Sequence, residues 1–259
     1  MRDTLLAQPK ETPWVVATGA LTNVALLFAT FPEVIGHIKG LSVMGGAIGQ
    51  KFTEAPMSRL LGEESRIGNV TPWAEFNIYC DPEAAESIFS NPILASKTTL
   101  ISLDLTHQVL ATPAVQARIL TKDDDLSSPP SILRRILHAL LNFFAETYKT
   151  VFGLDSGPPL HDPLAVAVVL SNLNSPLANA SPKEALKFDD RGGERFSVTV
   201  ITNGQHGKDV SVTGQLGRTT ARPVEGRGVT IPRGVDVDAF WDLAVHCIEL
   251  ADECCARRR

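Results

Sequence analysis

The chain has 259 residues, of which 44% are hydrophobic, 20% charged and 6% aromatic. Its 24 Lys and Arg against 29 Asp and Glu leave a formal charge of −5, so no global field draws it to phosphate backbones, and aromatics this sparse give no base-stacking platform. The apolar content excludes an intrinsically disordered chain and is enough for a sizeable core, read as a single domain over residues 1–259.

Trp14-Val15-Val16-Ala17-Thr18 is a short apolar run of the kind a strand buried on both faces shows. Gly19 allows a tight turn, Leu21–Phe28 reads as a helix, and Leu41-Ser42-Val43-Met44 is a second strand running into Gly45-Gly46. Strand, turn, helix and strand at this spacing predict a parallel crossover unit. Gln50–Ile67, polar and punctuated by Pro56 and Gly62, predicts a long loop or insertion. Asp81-Pro82-Glu83 is a helix start, with an Asp cap, Pro at the first helical position and an acid in the first turn. Thr99–Leu103 reads as a third strand with Asp104 at its carboxyl end. Thr112-Pro113 opens another helix, and Asp123-Asp124-Asp125 is a charged turn.

Farther along, Ile132, Leu133, Ile136, Leu137, Leu140, Leu141 and Phe144 recur at helical spacing and predict a core-facing helix. His161-Asp162-Pro163 precedes an apolar helix, Leu164–Leu170. Phe196–Thr202 alternates like a strand that Val210–Val212 extends or pairs with, and a last helix sets Phe240, Leu243, Ala244 and Cys247 on one face. Strands alternating with helices predict an α/β fold around a mostly parallel open sheet flanked by helices.

Cys80, Cys247, Cys254 and Cys255 have no disulfide-framework or zinc spacing, and Met1-Arg2-Asp3-Thr4 lacks the basic-then-apolar run of a signal peptide. A reduced, cytoplasmic setting is expected. Thr12–Pro32 and Pro163–Pro182 are uncharged and long enough to span a bilayer, but their Pro, Gly, Asn and Ser residues suit buried strand–turn–helix units better than lipid-facing helices. No membrane partner is expected.

In open parallel sheets ligands bind beyond the carboxyl ends of the strands, which selects Thr18-Gly19, Met44-Gly45-Gly46 and Asp104. The densest polar cluster is Gly68–Asn77, in which Asn69, Glu75 and Asn77 flank aromatic side chains. Amides offer donor and acceptor together and a carboxylate accepts two hydroxyl protons, a set suited to gripping a polyol. Asn69-Val70-Thr71 also reads as a glycosylation sequon. In His161-Asp162-Pro163 the Asp is either a helix N-cap or a hard oxygen ligand, and the His a proton donor.

These pieces stand in a recognisable order. Thr18-Gly19-Ala20-Leu21-Thr22-Asn23, Val43-Met44-Gly45-Gly46, Gly68–Asn77 with Asp81-Pro82-Glu83-Ala84-Ala85, Leu103-Asp104-Leu105-Thr106-His107 and His161-Asp162-Pro163-Leu164-Ala165 together resemble the inosine/uridine-preferring nucleoside hydrolases. The resemblance implies a Rossmann-like α/β core, a small ribonucleoside as substrate, hydrolysis of its N-glycosidic bond to ribose and free base, and a homodimer or homotetramer without a nucleic-acid partner. It implies a Ca²⁺ ion held by the Thr18 carbonyl and the Asp162 carboxylate. Met44 would pack on the sugar, Asn69, Glu75 and Asn77 with Phe76 beside them would grip the ribose, and His161 would help the base depart.

Two departures accompany the match. The family's amino-terminal strand ends in an Asp-x-Asp-Pro-Gly-x-Asp-Asp loop that supplies two Ca²⁺ carboxylates and the general base, and this sequence contains no such loop. The chain is therefore expected to be an amino-truncated nucleoside hydrolase with an incomplete ion site. The alternatives are a non-catalytic ribose- or nucleoside-binding or interaction protein, and an inactive fragment. The other departure is the stretch between Met44 and Asn69, 24 residues long, in which Gln50–Ile67 is either a lid over the ribose site or a tolerated surface insertion.

Overall fold

Three short strands, β1 (Trp14–Ala17), β2 (Gly40–Met44) and β3 (Thr98–Ile101), pair in parallel in the order β1-β2-β3. The computed structural model that defines them describes residues 1–121, 129–172, 186–207, 212 and 214–257. Helices α1 (Arg2–Leu6), α2 (Thr22–Thr30), α3 (Glu33–His37), α4 (Phe76–Cys80), α5 (Pro82–Phe89), α6 (Pro92–Lys97), α7 (Leu103–Thr106), α8 (Pro113–Leu120), α9 (Ile132–Phe152), α10 (Asp162–Asn172) and α11 (Val237–Arg257) surround the sheet. Two antiparallel pairs complete the architecture, β4 (Phe188–Asp189) with β7 (Gly234–Val235) and β5 (Arg195–Val200) with β6 (Thr219–Val224). The outer edge of β3 is bridged by Thr230, whose carbonyl accepts the Leu100 amide at 2.8 Å, and Val229 pairs in turn with Phe196 of β5.

The alternation of side chains along the strands assigns the two faces of the sheet. Val15, Ala17, Leu41, Val43 and Leu100 share one core with Leu21, Val24 and Phe28 around α2 and with Ala85 and Ile88 of α5. Met44 and Ile101 share the other with Leu164 and Ala165 of α10 and with Phe240 and Trp241 of α11. Ser42 lies between the two hydrophobic neighbours of β2, fully buried, and its small hydroxyl donates to the Ala165 carbonyl at 2.7 Å. Gly40 faces Trp14 across the ladder, and a Cβ there would fall 2.3 Å from the indole ring, so the glycine makes room for the aromatic lid on the strand pair.

The predicted elements sit at their predicted places with several corrections. Leu103 belongs to α7, not to the third strand, which stops at Ile101. The long helix α9 faces the core along only part of its predicted stripe: Ile132, Ile136, Leu140 and Phe144 are each about half exposed, whereas Leu137 and Leu141 pack partly buried against the second core, and Arg134, Tyr148 and Phe152 are buried. The strand β5 pairs with β6, and of Val210–Val212, read as its extension or partner, only Val212 lies within the described residues. Asp123-Asp124-Asp125 lies outside the described residues. The helix start expected at Asp81 is present in full: its carboxylate accepts the Ala84 amide at 3.0 Å and also the Thr22 hydroxyl, tying α5 to α2. All four cysteines are free. Among the described residues no helix is long and apolar enough to cross a membrane, and Thr12–Pro32 resolves into β1, a turn and α2.

Candidate active site

The carboxyl end of β2 and the amino end of α4 are joined through one buried carboxylate. Glu75, 2% exposed, caps α4: Oε1 accepts the Asn77 amide at 2.8 Å, and Oε2 accepts the Ile78 and Gly46 amides, each at 3.0 Å. Gly45 admits this approach, since a Cβ there would stand 3.2 Å from Glu75 Oε2. Burial raises the Glu75 pKa, the three amides oppose that rise, and the nearby Asp162 carboxylate adds to it. Next to it, Asn77 donates from Nδ2 to the Met44 carbonyl at 3.1 Å and to Met44 Sδ at 3.3 Å, which fixes the methionine at the strand end.

A tight turn carries the next ligand. The Ile67 and Gly68 amides both donate to the Pro72 carbonyl, and a Cβ on Gly68 would lie 2.2 Å from the Ala74 carbonyl oxygen, so this turn closes only around glycine. It presents Asn69, whose Oδ1 accepts the Phe76 amide at 2.9 Å, leaving its amino group for another partner. Phe76 itself is 55% exposed.

His161, just ahead of α10, is held from both ring nitrogens. Nδ1 lies 2.8 Å from the Thr106 hydroxyl and Nε2 lies 2.7 Å from the Tyr148 hydroxyl. The Thr106 hydroxyl donates onward to the Leu103 carbonyl, so it accepts from Nδ1–H, and Nε2 then accepts from the Tyr148 O–H. The Asn69 side chain is the second polar neighbour of that phenol. Tyr148, His161 and Thr106 thus form one hydrogen-bonded chain from α9 to α7, with the Asn69 side chain near its phenol end. Burial, with the neighbouring His107 ring, pushes the His161 pKa down to about 3, and burial pushes Tyr148 up to about 12, so both are neutral across the physiological range.

Asp162 is the first residue of α10, and no hydrogen bond to its carboxylate exists among the described residues, so the expected N-cap role is not realised. It and Thr18 line the same apolar groove of about 530 Å³, whose walls include Leu137, Leu141, Val166 and Trp241. Partial burial raises the Asp162 pKa. A Ca²⁺ ion takes six to eight oxygens, and Thr18 and Asp162 offer two. Among the described residues no group of three or more His, Cys, Asp or Glu side chains could hold a metal ion. The residues present do not by themselves fit the ion.

The structure therefore brings Met44, Glu75 and Asn77 together, bonds His161 to Tyr148 with Asn69 nearby, and sets Thr18 and Asp162 along one groove. Asp104, selected by the strand-end rule, faces a loop instead of open space. It is 3% exposed, and its two oxygens accept the Ile48 and Gly49 amides at 2.8 and 2.9 Å. Tyr148 carries more than its sequence position discloses, because its spacing from His161 spans a helix end, and only the folded turn at Gly153 (φ 67°) returns the chain to it.

The chain and its fold are similar to known proteins. The family described as inosine-uridine preferring nucleoside hydrolase matches residues 1–242. A probable ribonucleoside hydrolase of Dictyostelium discoideum is 36% identical over 242 residues, covering 93% of this chain and 58% of its own length. The uridine nucleosidase of Saccharomyces cerevisiae is 29% identical over 255 residues, covering 98% of this chain and 65% of its own. Among solved structures, a purine-preferring ribonucleoside hydrolase from Gardnerella vaginalis superposes with a TM-score of 0.64 at 24% identity, over 95% of this chain and 65% of the other, a likeness of fold. The chain thus spans 58% and 65% of the length of the two curated relatives. With a family match that runs through every element from β1 into α11, this chain belongs to the inosine-uridine preferring nucleoside hydrolases.

Proposed function

We propose that this chain binds a ribonucleoside and takes part in hydrolysing its N-glycosidic bond to ribose and free base. The observation that carries the reading is the hydrogen-bonded chain Tyr148–His161–Thr106 standing beside the Met44–Glu75–Asn77 cluster. One group is suited to the sugar and the other to the leaving base.

Departure of the base builds positive charge on the ribose, and oxygens already fixed in place stabilise it without reorganising. Glu75 is pinned by three amides and Asn77 by Met44, so both are held before substrate arrives. Met44 offers a polarisable face to the sugar. On the base side, a neutral His161 with Nδ1–H committed to Thr106 has no proton to give directly. Its part is to hold the Tyr148 O–H through Nε2, and that O–H must swing from His161 to the base to donate to it as it departs. The Thr18 carbonyl and the Asp162 carboxylate, on one groove, supply too few oxygens to hold Ca²⁺ by themselves.

The test is ribose release from uridine and inosine by the purified 259-residue chain, with Glu75→Gln as the control. Turnover that falls about 100-fold in the variant supports the proposal, and release no greater than the variant's overturns it. The two-donor cation corner favours a second reading, a non-catalytic ribonucleoside-binding protein. Saturable uridine binding without ribose release would select that one.

A further inference from the structure

The Gln50–Ile67 stretch has no helix or strand, yet it is fastened to the site at several points. Arg66 is at the centre of the fastening. Its Nε and Nη2 donate to the two oxygens of Glu63 at 3.0 and 2.8 Å, a bidentate pair. Its Nη1 donates to two backbone carbonyls, Gly68 at 3.2 Å and Thr71 at 3.1 Å. Its guanidinium carbon also lies 5.8 Å from the centroid of the Phe152 ring. Glu63 is held in turn by the Ser58 hydroxyl at 2.8 Å, which lies 3.3 Å from the Phe152 carbonyl, and the Arg59 amide donates to that same carbonyl at 2.8 Å.

The two carbonyls that Arg66 grips bracket Asn69. On the other side of the guanidinium is the last turn of α9, which carries Tyr148 and Phe152. One planar group therefore spans the turn that presents Asn69 and the end of α9 that carries Tyr148. We propose that Arg66 is a positioning residue for Asn69, and that the inserted loop serves as the strut through which the Gly68–Ala74 turn is referenced to the end of α9. This deepens the ribonucleoside reading and rests on it for the kinetic consequence only.

Arginine is required by the geometry. A carboxylate and two carbonyls are served at once by donors at fixed angles, whereas a lysine ammonium is a point charge on a flexible stem and cannot hold all three. None of these bonds belongs to the sheet or to the two large cores. Loss of Arg66 therefore loosens the turn without dismantling the fold.

The experiment pairs Arg66→Lys with Arg66→Ala and reads two quantities in each. The first is backbone hydrogen exchange at Phe76, whose amide is bonded to Asn69 Oδ1, against Ile48 and Gly49, whose amides are held by Asp104. The expected result in Arg66→Lys is exchange about tenfold faster at Phe76, with Ile48 and Gly49 within about twofold of wild type. The second is steady-state hydrolysis of uridine, where KM rises about five- to tenfold and kcat stays within about twofold, because a looser Asn69 weakens ribose binding throughout the reaction. Unchanged protection at Phe76 overturns the proposal, and so does uniform loss of protection at all three amides. If the wild-type chain releases no ribose, the ribonucleoside reading fails, and the exchange comparison still decides the role of Arg66.

Discussion

The Tyr148 hydroxyl stands 2.7 Å from Nε2 of His161, across a helix end and a turn in sequence, and it is the only hydrogen-bonding group the described residues place on that nitrogen. Since Nδ1 is committed to Thr106, the imidazole acts on anything outside it through this phenol. Tyr148→Phe keeps the ring, its contact with Phe152 at 5.3 Å and its packing on His107 at 5.8 Å, and deletes only the oxygen. The expected result is a fall in kcat on uridine of about 10- to 100-fold with KM nearly unchanged, because the hydroxyl matters when the base departs. Steady-state kinetics of the single variant checks this; an equal rise in KM would move Tyr148 from the leaving group to ground-state binding.

Asp104 supports a different part of the site. Its carboxylate accepts the Ile48 and Gly49 amides, and its carbonyl accepts the Thr53 hydroxyl at 2.7 Å and Gln108 Nε2 at 2.9 Å, so one residue closes the segment that follows Gly45-Gly46. Burial raises its pKa while the amides oppose the rise. Asp104→Asn turns one acceptor into an NH₂ group facing an N–H. The expected cost is about 2–3 kcal/mol, the penalty of an unsatisfied buried donor. Urea unfolding measures it, and a loss below about 0.5 kcal/mol would show that the segment closes without the carboxylate.

His107 gives the fold a pH dependence of definite sign. Its Nδ1 is bonded to the Pro56 carbonyl at 2.9 Å, Nε2 is buried without a partner, and burial pushes its pKa down to about 4. Between pH 6.5 and 4 the unfolded chain takes up a proton at this residue and the folded chain does not, so stability is fully present above 6.5 and falls as the pH drops. The contribution is on the order of 3 kcal/mol at its limit. Buried Glu75 and Asp104, with raised pKa values, act in the opposite sense. The measurement is therefore the difference in melting temperature between wild type and His107→Asn from about pH 7 to about pH 4. The wild type is expected to lose more stability over that range, and parallel curves would remove His107 as the cause.

How much of this is legible in the sequence depends on whether the signal is local. β1, β2, the α5 start at Asp81 and the turn glycines announce themselves through short-range patterns, and Gly68 and Gly45 are sites of close approach. The family order of motifs marks Met44, Asn69, Glu75 and Asn77 together. What stays hidden is set by tertiary contact: whether the α9 stripe meets a core, whether Asp104 faces a ligand or a loop, and which carbonyls Arg66 reaches. Helical periodicity says that a face is apolar and not what lies against it, which is why the α9 pattern does not separate Leu137 and Leu141, packed on the second core, from the exposed Ile132, Ile136 and Leu140.

Asp162 offers the sharpest separation of structure from function. As a helix cap its removal would cost about 1 kcal/mol. Its carboxylate accepts no bond from α10 among the described residues and instead shares the groove with Thr18, close enough to Glu75 to raise that group's pKa. Asp162→Asn is therefore expected to leave stability within about 0.5 kcal/mol of wild type, or raise it slightly by relieving the repulsion. With only two donors in the groove, millimolar Ca²⁺ is expected to raise the wild-type melting temperature by less than about 1 °C, since a ligand stabilises only as far as its concentration exceeds its dissociation constant. Thermal unfolding of both proteins with and without Ca²⁺ tests the two statements together. A Ca²⁺-dependent rise of several degrees in wild type that vanishes in Asp162→Asn would mean that this chain assembles a stronger cation site than Thr18 and Asp162 provide.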